Sequence, residues 1–96
     1  MIWKVKISDT ALKQLKKLDN KSGKTIIDYL ETRIETDKDP CRFGGALRHS
    51  LAGLWKYRIG EYRVICKIQK KKVLVLVLRV GHRKDILRRD RRGDLL

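Results

Sequence analysis

The chain has 96 residues, with 25 Lys and Arg against 11 Asp and Glu, a formal net charge of +14 and a pI near 10.3. That length fits one compact domain, residues 1–96, and leaves little room for a second. Apolar residues at 42% suit a folded core, while charged residues at 38% exceed the usual proportion of roughly 25% and imply a heavily charged surface.

The charge is uneven: residues 1–48 carry 11 basic and 7 acidic residues, residues 49–96 carry 14 and 4. An anion-binding surface is therefore expected in the second half, with nucleic acid the first partner to consider, an acidic protein next and an anionic membrane third. The longest aliphatic run, Val73 to Leu78, is far short of the roughly 20 residues that span a bilayer, so no membrane role is expected. The opening MIWKVKISDT lacks the basic-then-apolar pattern of a secretion signal, and a reducing cytoplasm is the expected setting. Cys41 and Cys66, with His49 and His82, form no metal-ligand spacing, so neither a metal nor another cofactor is expected. Cys66 falls on the apolar side of its strand and reads as a small buried thiol.

In chain order, MIWKVKI alternates, with Met1, Trp3, Val5 and Ile7 on one side and Lys4 and Lys6 on the other, as a half-buried strand does. Ser8 and Asp9 can cap a helix with an apolar stripe of Leu12 and Leu15, joined by Ala11 and Leu18. Beyond a DNKSGK connection, the spacing of Ile26, Ile27, Leu30 and Ile34 predicts a second helix from about Thr25 to Thr36. DKDPCRFGG, with the only proline, reads as a surface loop. A hairpin over 54–68, a tight QKKK turn and the strand VLVLVLRV follow, the last suited by its aliphatic run to a central place in the sheet. A basic tail occupies about 84–96. The total, β-α-α-β-β-β, is an α+β fold in which two N-terminal helices pack on one face of a four-stranded, mainly antiparallel sheet.

The hairpin carries the functional signal. In LWKYRIGEYRVICK, a two-residue turn at Gly60-Glu61 sets Ile59 opposite Tyr62, Arg58 opposite Arg63, Tyr57 opposite Val64 and Trp55 opposite Cys66. One face is then apolar and can meet the helices. On the other, Arg58 meets Arg63 and Lys56 meets Ile65, although like charges placed directly opposite are destabilising. Either these long side chains are simply solvated and screened, or the face receives a phosphodiester whose oxygens relieve the repulsion. Arg83, and with it Lys67, Arg79 and His82, can join the same surface.

The pieces GLWKYRIGEYRVICKI and VLRVGHRKDIL, after a short strand and two helices, resemble the RelE/ParE superfamily of toxins from toxin–antitoxin pairs, over roughly residues 2 to 87. For the RelE branch, the resemblance implies a ribosome-dependent, metal-independent endoribonuclease. In that chemistry the ribose 2′-hydroxyl of messenger RNA attacks the adjacent phosphate. It also implies an acidic RelB-like antitoxin, held in a hetero-oligomer, as partner.

Lys56, Arg58 and Arg63 match the family's strand cations, and Arg83 matches the cation that follows the last strand. The best-described RelE enzymes have a lysine where this chain has Arg58, so Lys56 or His82 would have to accept the proton; a lone histidine at a strand end is more often a structural hydrogen-bonder than a catalyst. The family's frequent tyrosine after Gly-His-Arg stands here as Leu87. Lys84, Arg88 and Arg89 can grip RNA phosphates, or belong to a solvated tail. The alternatives are a ParE-like inhibitor of DNA gyrase, acting by protein binding, and a module that only binds its antitoxin.

Overall fold

The structure, a computed structural model, describes residues 1–48 and 51–84. Arg88 and Arg89, with the tail beyond Lys84, lie outside the described residues. The elements are β1 (Lys4–Ile7), α1 (Asp9–Lys17), α2 (Asn20–Tyr29), β2 (Gly45–Ala46), β3 (Trp55–Ile59), β4 (Tyr62–Gln69) and β5 (Leu74–His82). They form one sheet in the order β1-β5-β4-β3-β2, with β1 parallel to β5 and the other pairs antiparallel. None of the described helices is long and apolar enough to cross a membrane.

The α+β layering and the interior position of β5 are as expected, and the strand count is corrected from four to five. The extra strand comes from the proline-containing loop, which returns along the outer edge of β3 and pairs Gly45 with Lys56 and Ala46 with Trp55. Two residues give no alternation to read, so a strand this short leaves no sequence pattern. Gly44 makes the return possible: its φ is +78°, and a Cβ there would lie 2.2 Å from the Lys56 carbonyl oxygen.

The start of α2 is also corrected. It begins at Asn20, not near Thr25, because the Asp19 carboxylate accepts a hydrogen bond from the Ser22 backbone N–H at 3.1 Å and caps the helix. The Ser22 side chain, and after it the Ser22 backbone N–H, hold the Asp19 carboxyl below its ordinary value. After Tyr29 the helix widens into one π turn, Leu30–Ile34, which keeps Ile26, Leu30 and Ile34 all buried. On α1 the buried positions are Ala11 and Leu15, while Leu12 is 41% exposed at the rim.

The core lies between the helices and one face of the sheet. Tyr57 and Ile59 from β3, Val64 and Cys66 from β4, and Val75, Val77 and Val80 from β5 meet Ala11, Leu15, Ile26, Leu30 and Ile34. Each of the Val, Leu and Ile side chains among them contributes roughly 1.5–3 kcal/mol on burial. Tyr57 keeps its hydroxyl satisfied by donating to the Pro40 carbonyl at 2.8 Å, and burial raises both its pKa and that of the Cys66 thiol.

The β4–β5 ladder shifts register between Ile65 and Cys66: Ile65 pairs with Arg79 but Cys66 pairs with Val77, so Leu78 is a bulge residue. Helix α1 serves the bulge. Ser8 Oγ donates to the Leu78 carbonyl at 3.1 Å, and Gln14 Oε1 accepts from the Val80 N–H at 2.7 Å, where β1 has already ended.

Candidate functional site

The register of the β3–β4 hairpin is the one its turn dictates, with Arg58 opposite Arg63 and Ile59 opposite Tyr62. Gly60, at φ +59°, takes the left-handed first position of the two-residue turn, which matches the right-handed twist of the strands. Directly paired residues share a sheet face, so the face away from the helices carries the row Arg58–Arg63–Gly81 at the hairpin tip. The next row is Lys56–Ile65–Arg79, and Lys67 stands one row further, opposite Leu76. Part of this face is covered: Leu51 is buried with Ile65, and Leu47 and Leu54 pack against them.

Arg63 is 5% exposed, and it is the charged residue that is buried among the described residues. Its Nη1 donates to the Tyr62 carbonyl at 3.1 Å and the Gly60 carbonyl at 3.4 Å, which folds the guanidinium back onto the turn. Burial lowers its pKa first, then repulsion from Arg58 and from Arg83, with Glu61 acting in the opposite sense. A guanidinium nevertheless stays protonated at physiological pH. Among the described residues no carboxylate forms an ion pair with Arg63. Arg58 from β3 and Arg83 from the end of β5 thus converge on the desolvated positive charge of Arg63, which has no ion-paired carboxylate among the described residues.

Arg83 is brought there by the turn. Its backbone N–H donates to the Glu61 carbonyl at 2.9 Å, and its Nε lies 3.2 Å from Glu61 Oε2. His82 goes elsewhere. It pairs with Tyr62, on the helix-facing side, and the two rings meet edge to face at 5.8 Å. Its Nδ1 accepts a hydrogen bond from the Lys84 backbone N–H at 3.2 Å, so in the neutral ring the proton sits on Nε2, 3.9 Å from Glu61 Oε2. Lys84 itself is exposed, Lys56 half-buried, and Arg58 and Lys67 exposed.

The structure therefore groups Arg58, Arg63 and Arg83, keeps Lys56, Arg79 and Lys67 on the same face in successive rows, and sets His82 behind Tyr62. In the sequence Glu61 reads as a turn residue alone. The signal that marks it is that it is the only acidic residue between Pro40 and Asp85.

The comparisons with known proteins agree with the sequence resemblance. A family model described as the ParE toxin of the type II toxin–antitoxin system parDE matches residues 5–87. Toxin RelG of Mycobacterium tuberculosis is 34% identical over 89 residues, covering 93% of this chain and 100% of that protein. Among solved structures, the toxin–antitoxin complex RelBE2 of Mycobacterium tuberculosis contains a chain of 30% identity and TM-score 0.79, with 86% of this chain and 93% of that one covered. The free E. coli toxin RelE, at 22% identity, shares the fold with a TM-score of 0.67 over 88% of this chain and 87% of its own. An archaeal RelE–RelB complex from Pyrococcus horikoshii is similar at 25% identity and TM-score 0.60, over 86% and 97% of the two chains. On the match over residues 5–87 and the identity to Toxin RelG, the chain is a member of the ParE toxin family of type II toxin–antitoxin systems, within the RelE/ParE superfamily.

Proposed function

We propose that the chain is a ribosome-dependent endoribonuclease that stops translation by cutting messenger RNA. One observation carries this reading: Arg63 is buried, lacks an ion-paired carboxylate among the described residues, and lies within electrostatic reach of Arg58 and Arg83. Uncompensated charge of this kind costs stability, and a phosphodiester supplies the missing anion.

In the reaction, a ribose 2′-oxygen attacks the adjacent phosphorus as its proton leaves, and the bond to the 5′-oxygen breaks. The products are a 2′,3′-cyclic phosphate and a protonated 5′-hydroxyl. Arg63 and Arg58 stabilise the extra negative charge of the pentacoordinate transition state, and Arg83 serves the departing 5′-oxygen. Donors fixed in advance, as Arg63 is by the turn carbonyls, avoid reorganisation during reaction; each is worth about 10²–10³ in rate. Lys56, on the same face, is the better placed of the two proton-handling candidates, since His82 stacks behind Tyr62 with Nδ1 already engaged. Lys67, Arg79 and Lys84 extend the cation field along the RNA, and the reaction as proposed uses no metal.

The partner proposed for this chain in the resting cell is an acidic, RelB-like antitoxin that covers the basic face in a cytoplasmic hetero-oligomer. Its support is the similarity to chains seen in the RelBE2 and RelE–RelB complexes. Purified protein added to a translating extract should produce cuts at fixed positions within codons, read by primer extension. Intact messages together with arrested supercoiling of a plasmid would instead identify a ParE-like gyrase inhibitor, the reading to which the matching family model's name points.

A further inference from the structure

Arg83 enters the chemistry proposed above, and the residue that holds it has no part there. We infer that Glu61 is a positioning residue for Arg83, an inference that rests on the endoribonuclease reading. Glu61 is the single carboxylate in a stretch, 41–84, that carries 12 Lys and Arg. It grips Arg83 twice, through its carbonyl at 2.9 Å from the backbone N and through Oε2 at 3.2 Å from Nε. An arginine fork has five N–H groups, and a carboxylate at Nε leaves the four on the terminal nitrogens for a phosphate.

The carboxylate is itself flanked. His82 Nε2 stands 3.9 Å from the same oxygen, too far for a hydrogen bond, with its ring fixed by Tyr62 and by the Lys84 N–H. Both side chains around Oε2 therefore come from the end of β5, and both tie that end to the hairpin tip. Glu61 is 63% exposed and Arg83 48% exposed, and ion pairs so open to water contribute little to stability. A negative charge beside Arg63 also opposes phosphate binding. Its benefit lies in where it puts Arg83: a misplacement of about 1 Å in a reacting assembly costs up to about a hundredfold in rate.

The test compares Glu61→Ala, Glu61→Gln, Arg83→Ala and the double variant Glu61→Ala/Arg83→Ala with the parent protein on ribosome-bound message. Glu61→Ala should lower kcat about ten- to a hundredfold with KM unchanged or reduced. Glu61→Gln, which keeps an acceptor oxygen, should recover part of the loss. In the Arg83→Ala background the Glu61→Ala change should have no further effect on kcat, and the Arg83 Nε–H resonance of the free protein should shift in Glu61→Ala.

An unaltered kcat in Glu61→Ala, an equal fall in the Arg83→Ala background, or an unmoved Arg83 resonance would overturn the inference alone. A parent protein that cuts no message overturns the endoribonuclease reading and this inference with it.

Discussion

Replacing Arg63 by methionine separates what this residue does for the fold from its part in the proposed reaction. The substitution keeps much of the side-chain volume and removes the charge, whereas alanine would leave a cavity at a position that is 5% exposed. On the credit side for arginine stand two bonds from Nη1, at 3.1 and 3.4 Å, the second long and weak. Together they are worth about 2–3 kcal/mol as charge-assisted hydrogen bonds. Against it stands Arg58 on the adjacent strand. For like charges on directly paired strand positions, at an effective dielectric near 20, the repulsion is about 2 kcal/mol.

The two contributions cancel to within about 1 kcal/mol, and the desolvation of the buried guanidinium, which methionine is spared, further limits any fall in Tm to about 4–8 °C at most. Loss of a fixed donor to the transition state costs about 10²–10³ in rate. Arg63→Met should therefore unfold near the parent midpoint in urea while single-turnover cleavage on the ribosome falls a hundredfold or more. Arg63→Lys, which keeps the charge but not the planar fork, should fall between. Destabilisation beyond about 3 kcal/mol in Arg63→Met would show that the residue is a structural anchor of the turn. Cleavage at the parent rate would remove it from the site.

Gln14→Leu should leave the Val80 N–H without its 2.7 Å acceptor and cost about 1–3 kcal/mol in urea unfolding, with Gln14→Glu, which keeps an acceptor, losing less. Gly44→Ala forces a Cβ to 2.2 Å from the Lys56 carbonyl at a φ of +78°, and should cost more than about 2 kcal/mol in thermal unfolding. It should also displace the Trp55 indole N–H resonance, whose 2.7 Å bond to the Phe43 carbonyl spans the same corner. Asp19 has a folded-state pKa below its ordinary 3.8, so its capping contribution is complete above that value and is lost as the pH falls through the lower folded value. Asp19→Asn keeps an acceptor that does not titrate, and should show a flatter acid limb than the parent when unfolding midpoints are followed below about pH 4. Parallel limbs would refute the assignment.

The hairpin was legible because its turn and its alternation are local: Gly60-Glu61 fixes the pairing of Arg58 with Arg63, and nothing distant can alter it. The facing of the β5 side chains was not, because the phase changes within the strand. Arg79 and His82 are three residues apart, and a regular strand cannot present both on one face. Unbroken alternation from Val75 and Val77 would bury Arg79 and turn His82 outward. The bulge at Leu78 reverses this, sending Val80 into the core, Arg79 to the cation face and His82 against Tyr62. The trace it leaves is the odd interval between the apolar positions Val77 and Val80. The early start of α2 was hidden for a different reason. Asn20, Lys21 and Ser22 form a polar first turn without periodicity, and only the Asp19 cap marks it.

The same turn that sets the register also builds the site. Gly60 supplies the left-handed position and a carbonyl for Arg63, Tyr62 supplies the second carbonyl, and Glu61 supplies the carbonyl and carboxylate that hold Arg83. Two of the three arginines are thus fixed by groups within two residues of one another, and the third, Arg58, has its backbone placed by the ladder that the turn closes. Chemistry that depends on charge placed before the substrate arrives needs that kind of rigidity, and a two-residue turn between paired strands provides it with few side chains. The acceptors chosen for Arg63 are carbonyls, which orient a guanidinium without neutralising it. A carboxylate in their place would have made a more stable hairpin and filled the site that a phosphate is proposed to occupy.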